Sequence, residues 1–95
     1  MRTIHKFQLE MAQHQELPMP KGAKILTVQV QSYVPCIWAE VPADSSVEME
    51  QRTIAMFGTG HPIPFDDYTK EVYIGTLTDE GGTFIFHVYD TTENK

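Results

Sequence analysis

One cysteine, Cys36, stands alone in 95 residues. Neither an intrachain disulfide nor a thiolate zinc cage can hold the fold, so burial of apolar side chains must do it. Cations are scarce as well: seven Lys plus Arg face thirteen Asp plus Glu, a net charge of −6 with His neutral. That sign suits a polyphosphate track badly, so duplex DNA and RNA are not expected partners. No apolar run approaches the ~20 residues needed to cross a bilayer, and the opening Met-Arg-Thr-Ile-His lacks the apolar stretch of a signal peptide. A soluble cytoplasmic protein is the expectation. Internal repeats are absent, and the length leaves room for one core, so residues 1–95 read as a single small β-rich domain.

What the chain does have is period-two alternation between short breaks. Thr3 to Leu9 sets His5, Phe7 and Leu9 against Ile4, Lys6 and Gln8, the pattern of a half-buried strand. Glu10 to Glu16 contains good helix formers but only Met11 and Ala12 as apolar residues, which suggests one helical turn or a loop. Leu17-Pro18-Met19-Pro20-Lys21-Gly22 is held extended by its prolines until the glycine allows a turn. Lys24 to Gln31 alternates most clearly, with Leu26, Val28 and Val30 on one face, and it pairs with Cys36 to Val41 as an antiparallel hairpin. Pro42 to Ser46 reads as a surface loop and Glu50 to Phe57 as a strand. Gly60 to Asp67 reads as an exposed connection. Glu71 to Thr78 and Thr83 to Asp90 flank Asp79-Glu80-Gly81-Gly82, a hairpin turn, and the second of these strands is apolar enough on both faces to lie inside a sheet. The tail from Thr91 is expected to fray.

About six strands and no long helix predict an all-β or β-dominated α+β domain, a small antiparallel sheet that is barrel-like or sandwich-like. Its edges need cover, so a homo-oligomer is expected.

The most distinctive local sequence is Gly58-Thr59-Gly60-His61-Pro62. Paired glycines let backbone N–H groups converge on an anion, with Thr59 and His61 as further donors. The same residues also read as a strand-ending bend with His61 packed over Pro62, and this reading is the stronger of the two. Lys21, Lys24, Arg52 and Lys70 are the cations that aromatic residues, Trp38 and Tyr73 among them, would join around a small planar anion. His5, His14, His61 and His87 have no ligand-like spacing, so neither metal nor cofactor is expected. His87, in an aromatic strand, reads as a hydrogen-bonded, partly buried imidazole. Cys36 follows Pro35 in an apolar strand and reads as a core residue. Asp66 and Asp67 read as solvated acids. No catalytic residue and no enzymatic activity are expected.

Pro20-Lys21-Gly22-Ala23, Pro35-Cys36-Ile37-Trp38-Ala39, Gly58-Thr59-Gly60-His61-Pro62-Ile63, Tyr73-Ile74-Gly75-Thr76 and the stretch from Phe84 to Val88 together resemble a family of small phage and prophage proteins classed as a domain of unknown function. The resemblance implies a phage accessory protein in the host cytoplasm. By class, such proteins include sponges that sequester cyclic-nucleotide immune signals, as anti-CBASS or anti-Thoeris factors do. A sponge of this kind would use Gly58, Thr59, Gly60, His61, Lys21, Lys24 and Arg52 around phosphates and Trp38 or Tyr73 on a base. The alternative is a module that binds a host or virion protein through a sheet edge or the Pro-rich loop; an enzyme or virion structural protein ranks third.

Overall fold

The computed structural model describes residues 1–44, 46–64, 71–79 and 81–92. Asp66, Asp67, Tyr68, Lys70, Glu80 and the last three residues lie outside them. Seven strands form: β1 (Arg2–Gln8), β2 (His14–Pro20), β3 (Lys24–Gln31), β4 (Val34–Pro42), β5 (Met49–Gly58), β6 (Val72–Thr78) and β7 (Ile85–Asp90). They make two antiparallel sheets, ordered β1-β4-β3 and β2-β5-β7-β6. Of the expected architectures the sandwich is the one found: the sheets do not close into a barrel.

Alternation decides which side chains fill the space between the sheets. Ile37, Ala39 and Val41 of β4 face Leu17 and Met19 of β2, Ile54 and Met56 of β5 and Val88 of β7 across one apolar cluster. Cys36 is buried as well, 1% exposed, with its thiol 3.5 Å from the Val34 carbonyl.

The sandwich is shut along one side, where β3 lies against β6. Gly75 makes this approach possible, since a Cβ there would stand 3.1 Å from Val28 Cγ1. Both of these strands carry a bulge, at Leu26 and at Ile74. The bulge turns Leu26 away from the expected face: it is 40% exposed, while Ile25 packs on the core. On the opposite side the edges are β1 and β2.

Two expectations need correction. The segment from His14 is not a loop or helical turn; it is β2, a strand beyond the six expected, running in register with β5. Nor do the first residues of the tail fray: Thr91 is 2% exposed and donates its N–H to the Thr53 carbonyl at 2.8 Å, and the Thr92 hydroxyl accepts the Thr53 N–H at 3.0 Å. In the loop after β4, Asp44 accepts the Ser46 N–H at 2.9 Å and its hydroxyl at 2.8 Å, and these bonds hold the Asp44 carboxyl below the ordinary aspartate range.

Candidate functional site

The glycine corner forms where β5 ends. His61 donates its N–H to the Gly58 carbonyl at 3.0 Å, closing a turn in which Gly60 takes a φ of +86°. The His61 ring folds back onto Gly58, filling the place of a side chain: a Cβ on Gly58 would lie 2.9 Å from the ring. That is the bend of the structural reading, with the ring on Gly58. The His61 N–H is spent within the turn and is not aimed at a ligand. Thr59 stands apart from the ring, its hydroxyl 2.8 Å from His87 Nε2.

The cations expected at this corner are elsewhere. Arg52 points between the sheets near the start of β5, with 17% of its side chain exposed. It donates to Glu50 at 3.1 Å, to Asp90 at 3.0 Å and to the Ala23 carbonyl at 2.6 Å. These bonds commit the guanidinium to the fold. Gly58 lies six residue steps farther along the strand, roughly 20 Å at about 3.3 Å per step. Lys24, Arg52 and Tyr73 do share one depression of about 350 Å³ beside the two bulges. Lys21 is exposed in the turn between β2 and β3. Trp38 lies on the outer face of the three-stranded sheet, in register between Lys6 and Thr27.

Tyr73 reaches the corner by a different route. On the outer face of the four-stranded sheet its hydroxyl bonds to the Thr76 hydroxyl, which lies 3.0 Å from His87 Nδ1. The path Tyr73–Thr76–His87–Thr59 thus ties β6, β7 and the end of β5 together. Both imidazole nitrogens have a hydroxyl partner, the hydrogen-bonded role expected of His87. Beside it runs a row of rings packed edge to face: His14 on Phe57, Phe57 on Tyr89 and Tyr89 on Tyr73, at centroid distances of 6.1, 6.0 and 5.5 Å.

A strongly apolar concavity was not among the sequence candidates. It opens at the end of the sandwich, holds about 430 Å³, and is walled by Val30, Tyr33, Pro35, Leu77, Phe84 and Phe86. The β3–β4 turn presents Tyr33, 80% exposed, with Ser32 and Tyr33 at φ of 51° and 67°. Two successive positive φ values belong to the hairpin turn whose twist matches the flanking strands. The β6–β7 turn presents Phe84, 59% exposed, and fixes it through Asp79, which accepts the Phe84 N–H on Oδ1 and donates its own N–H to the Phe84 carbonyl at 3.1 Å. Met11 and Phe86 also line a second depression, about 320 Å³, which extends to Gly58 and His61.

Over residues 1–95 the sequence matches the family model described as a domain of unknown function, DUF7352. The chain belongs to that family. No curated protein and no solved structure matches it.

In this DUF7352 chain the glycine corner is therefore the rim of an aromatic mouth, and the cations form no part of it. The signal for the mouth was present in the sequence: Tyr33 and Phe84 are large apolar residues at hairpin turns, where Gly, Asn or Asp is the ordinary choice. Among the described residues, no three of His, Cys, Asp and Glu converge as metal ligands, and no helix is long and apolar enough to cross a membrane.

Proposed function

We propose that this DUF7352 chain is a non-enzymatic binding module, a phage accessory protein in the host cytoplasm that holds its ligand without converting it. The observation that carries this reading is the aromatic mouth: turns from both sheets place Tyr33, Phe84 and Phe86 around one open apolar concavity. Such a concavity with few polar groups is the usual form of a small-ligand site. A cyclic-nucleotide immune signal as the ligand is the less favoured reading, because Arg52 is occupied and Lys21 and Lys24 lie away from the glycine corner.

The test is retention from a deproteinised host extract. Protein is incubated with the extract, washed and denatured, and the released compounds are separated by chromatography. Wild type retains a compound that the Tyr33→Ser, Phe84→Ser double variant does not, and the compound is recovered intact. At a hundred times its Kd that ligand raises stability by about 2.7 kcal/mol, read as a higher melting temperature. Equal retention by the variant overturns the mouth as the site, and recovery of a cleaved product overturns the non-enzymatic reading. A melting shift with cyclic dinucleotides that survives the double variant returns the ligand to the glycine corner.

A second reading, self-association, is favoured by β1. Leu9 donates to the Pro35 carbonyl at 2.8 Å, so the odd residues of β1 aim their N–H groups at β4 and the even ones at the free edge. Two of the other three edges are bulged and β2 carries prolines, whereas β1 has neither device.

A further inference from the structure

We infer that the mouth selects a quaternary ammonium group, carried by a free small molecule. This deepens the binding role proposed for the mouth and rests on it. Three rings line the concavity, those of Tyr33, Phe84 and Phe86, with the last two 6.2 Å apart and tilted by 32°. The face of an aromatic ring is the negative end of its quadrupole and attracts a cation placed over it. The only charged side chain among the described lining residues is the Asp79 carboxylate; none is Lys, Arg or His. The whole chain carries −6, so the wider field also favours a cation.

Hydrogen-bond accounting narrows the cation further. Among the described lining residues the side-chain oxygen acceptors are the Tyr33 hydroxyl and the Asp79 carboxylate, whose Oδ1 is already engaged by the Phe84 N–H. A primary ammonium would bring three N–H donors into walls with too few acceptors, and a small hydrated metal ion would have to shed water against apolar carbon. A quaternary ammonium has no N–H to satisfy and presents methyl groups to the rings while its charge faces Asp79. An anion would meet the carboxylate and the ring faces, both repulsive.

The probes are choline and its neutral carbon isostere dimethylbutanol, titrated into the full chain and followed by amide NMR at Tyr33, Asp79 and Phe84. Choline is expected to bind about tenfold more tightly than the isostere. Phe84→Leu keeps an apolar wall but removes one π face, so it weakens choline severalfold and leaves dimethylbutanol unchanged. Asp79→Asn keeps an oxygen for the Phe84 N–H and removes the charge, and it too weakens choline alone. Equal affinity for the two probes, or equal loss of both in Phe84→Leu, overturns the cation selectivity while leaving a binding mouth. Saturable shifts with neither probe overturn both the selectivity and the mouth. A trimethyl-lysine peptide that binds more than tenfold tighter than choline overturns the free small molecule in favour of a partner protein's modified side chain.

Discussion

Arg52 shows how a residue can be read with the right chemistry and the wrong role. As a cation near aromatics it is a reasonable anion ligand, yet the alternation through Ile54 and Met56 carries both Arg52 and Glu50 onto the inward side of β5. An inward cation beside an inward acid is a structural pair before it is a ligand. Asp90, also inward on β7, completes the set and could not be foreseen, because nothing local to β5 announces that β7 will be its neighbour. Arg52→Met is therefore expected to cost about 3 kcal/mol in urea unfolding, because it strands the partly buried Asp90 and the Ala23 carbonyl. Adding Asp90→Asn should recover part of that loss, the mark of a coupled pair. Arg2→Met, which breaks only an exposed pair with Glu40, is expected to cost under about 1 kcal/mol.

At the scale of elements, β1, the β3–β4 hairpin, β5 and the β6–β7 hairpin were legible because period-two alternation runs between short breaks there. β2 was not, because prolines at 18 and 20 argue against a strand. The structure resolves this through phase. Lys21 donates to the Glu48 carbonyl at 2.7 Å and Gln13 accepts from Met56 at 3.0 Å, so odd residues of β2 bond to β5 and the even prolines turn their missing donors toward solvent. The bulge at Leu26 was equally hidden, since it answers to β6 in the other sheet. The polar path through His87 joins three segments distant in sequence, and no spacing rule could assemble it. Thr59→Val removes the partner of His87 Nε2 and is expected to lower stability by about 1 kcal/mol, measured as a lower urea midpoint with an unchanged slope.

For the whole molecule, the sequence implied a β-protein with edges to protect, and most of that protection turns out to be internal: the sheets cover each other, β3 sits against β6, and β2 is blunted by proline. What remains is β1. Its charged side chains reach back over the sheet, Arg2 to Glu40 and Lys6 to Gln31 at 2.7 Å, and among the described residues no strand pairs with its outer backbone edge. Light scattering at micromolar concentration is expected to give twice the 10.8 kDa chain mass. Ile4→Pro removes an edge donor without touching a bond to β4 and should return the mass to that of one chain, with circular dichroism unchanged. A monomeric wild type would remove the case for self-association.

The strand order also sets a timetable. The three strands of the first sheet have all been made by Pro42, but their apolar side, Val28, Ile37, Ala39 and Val41, is covered only by strands that begin at Met49 and end at Asp90, β2 being unable to pair before β5 exists. At about 5–20 residues per second, translation leaves that face bare for a few seconds. The nascent chain is thus stickiest when the first sheet has emerged and β5 to β7 have not, the form of this protein most prone to aggregate.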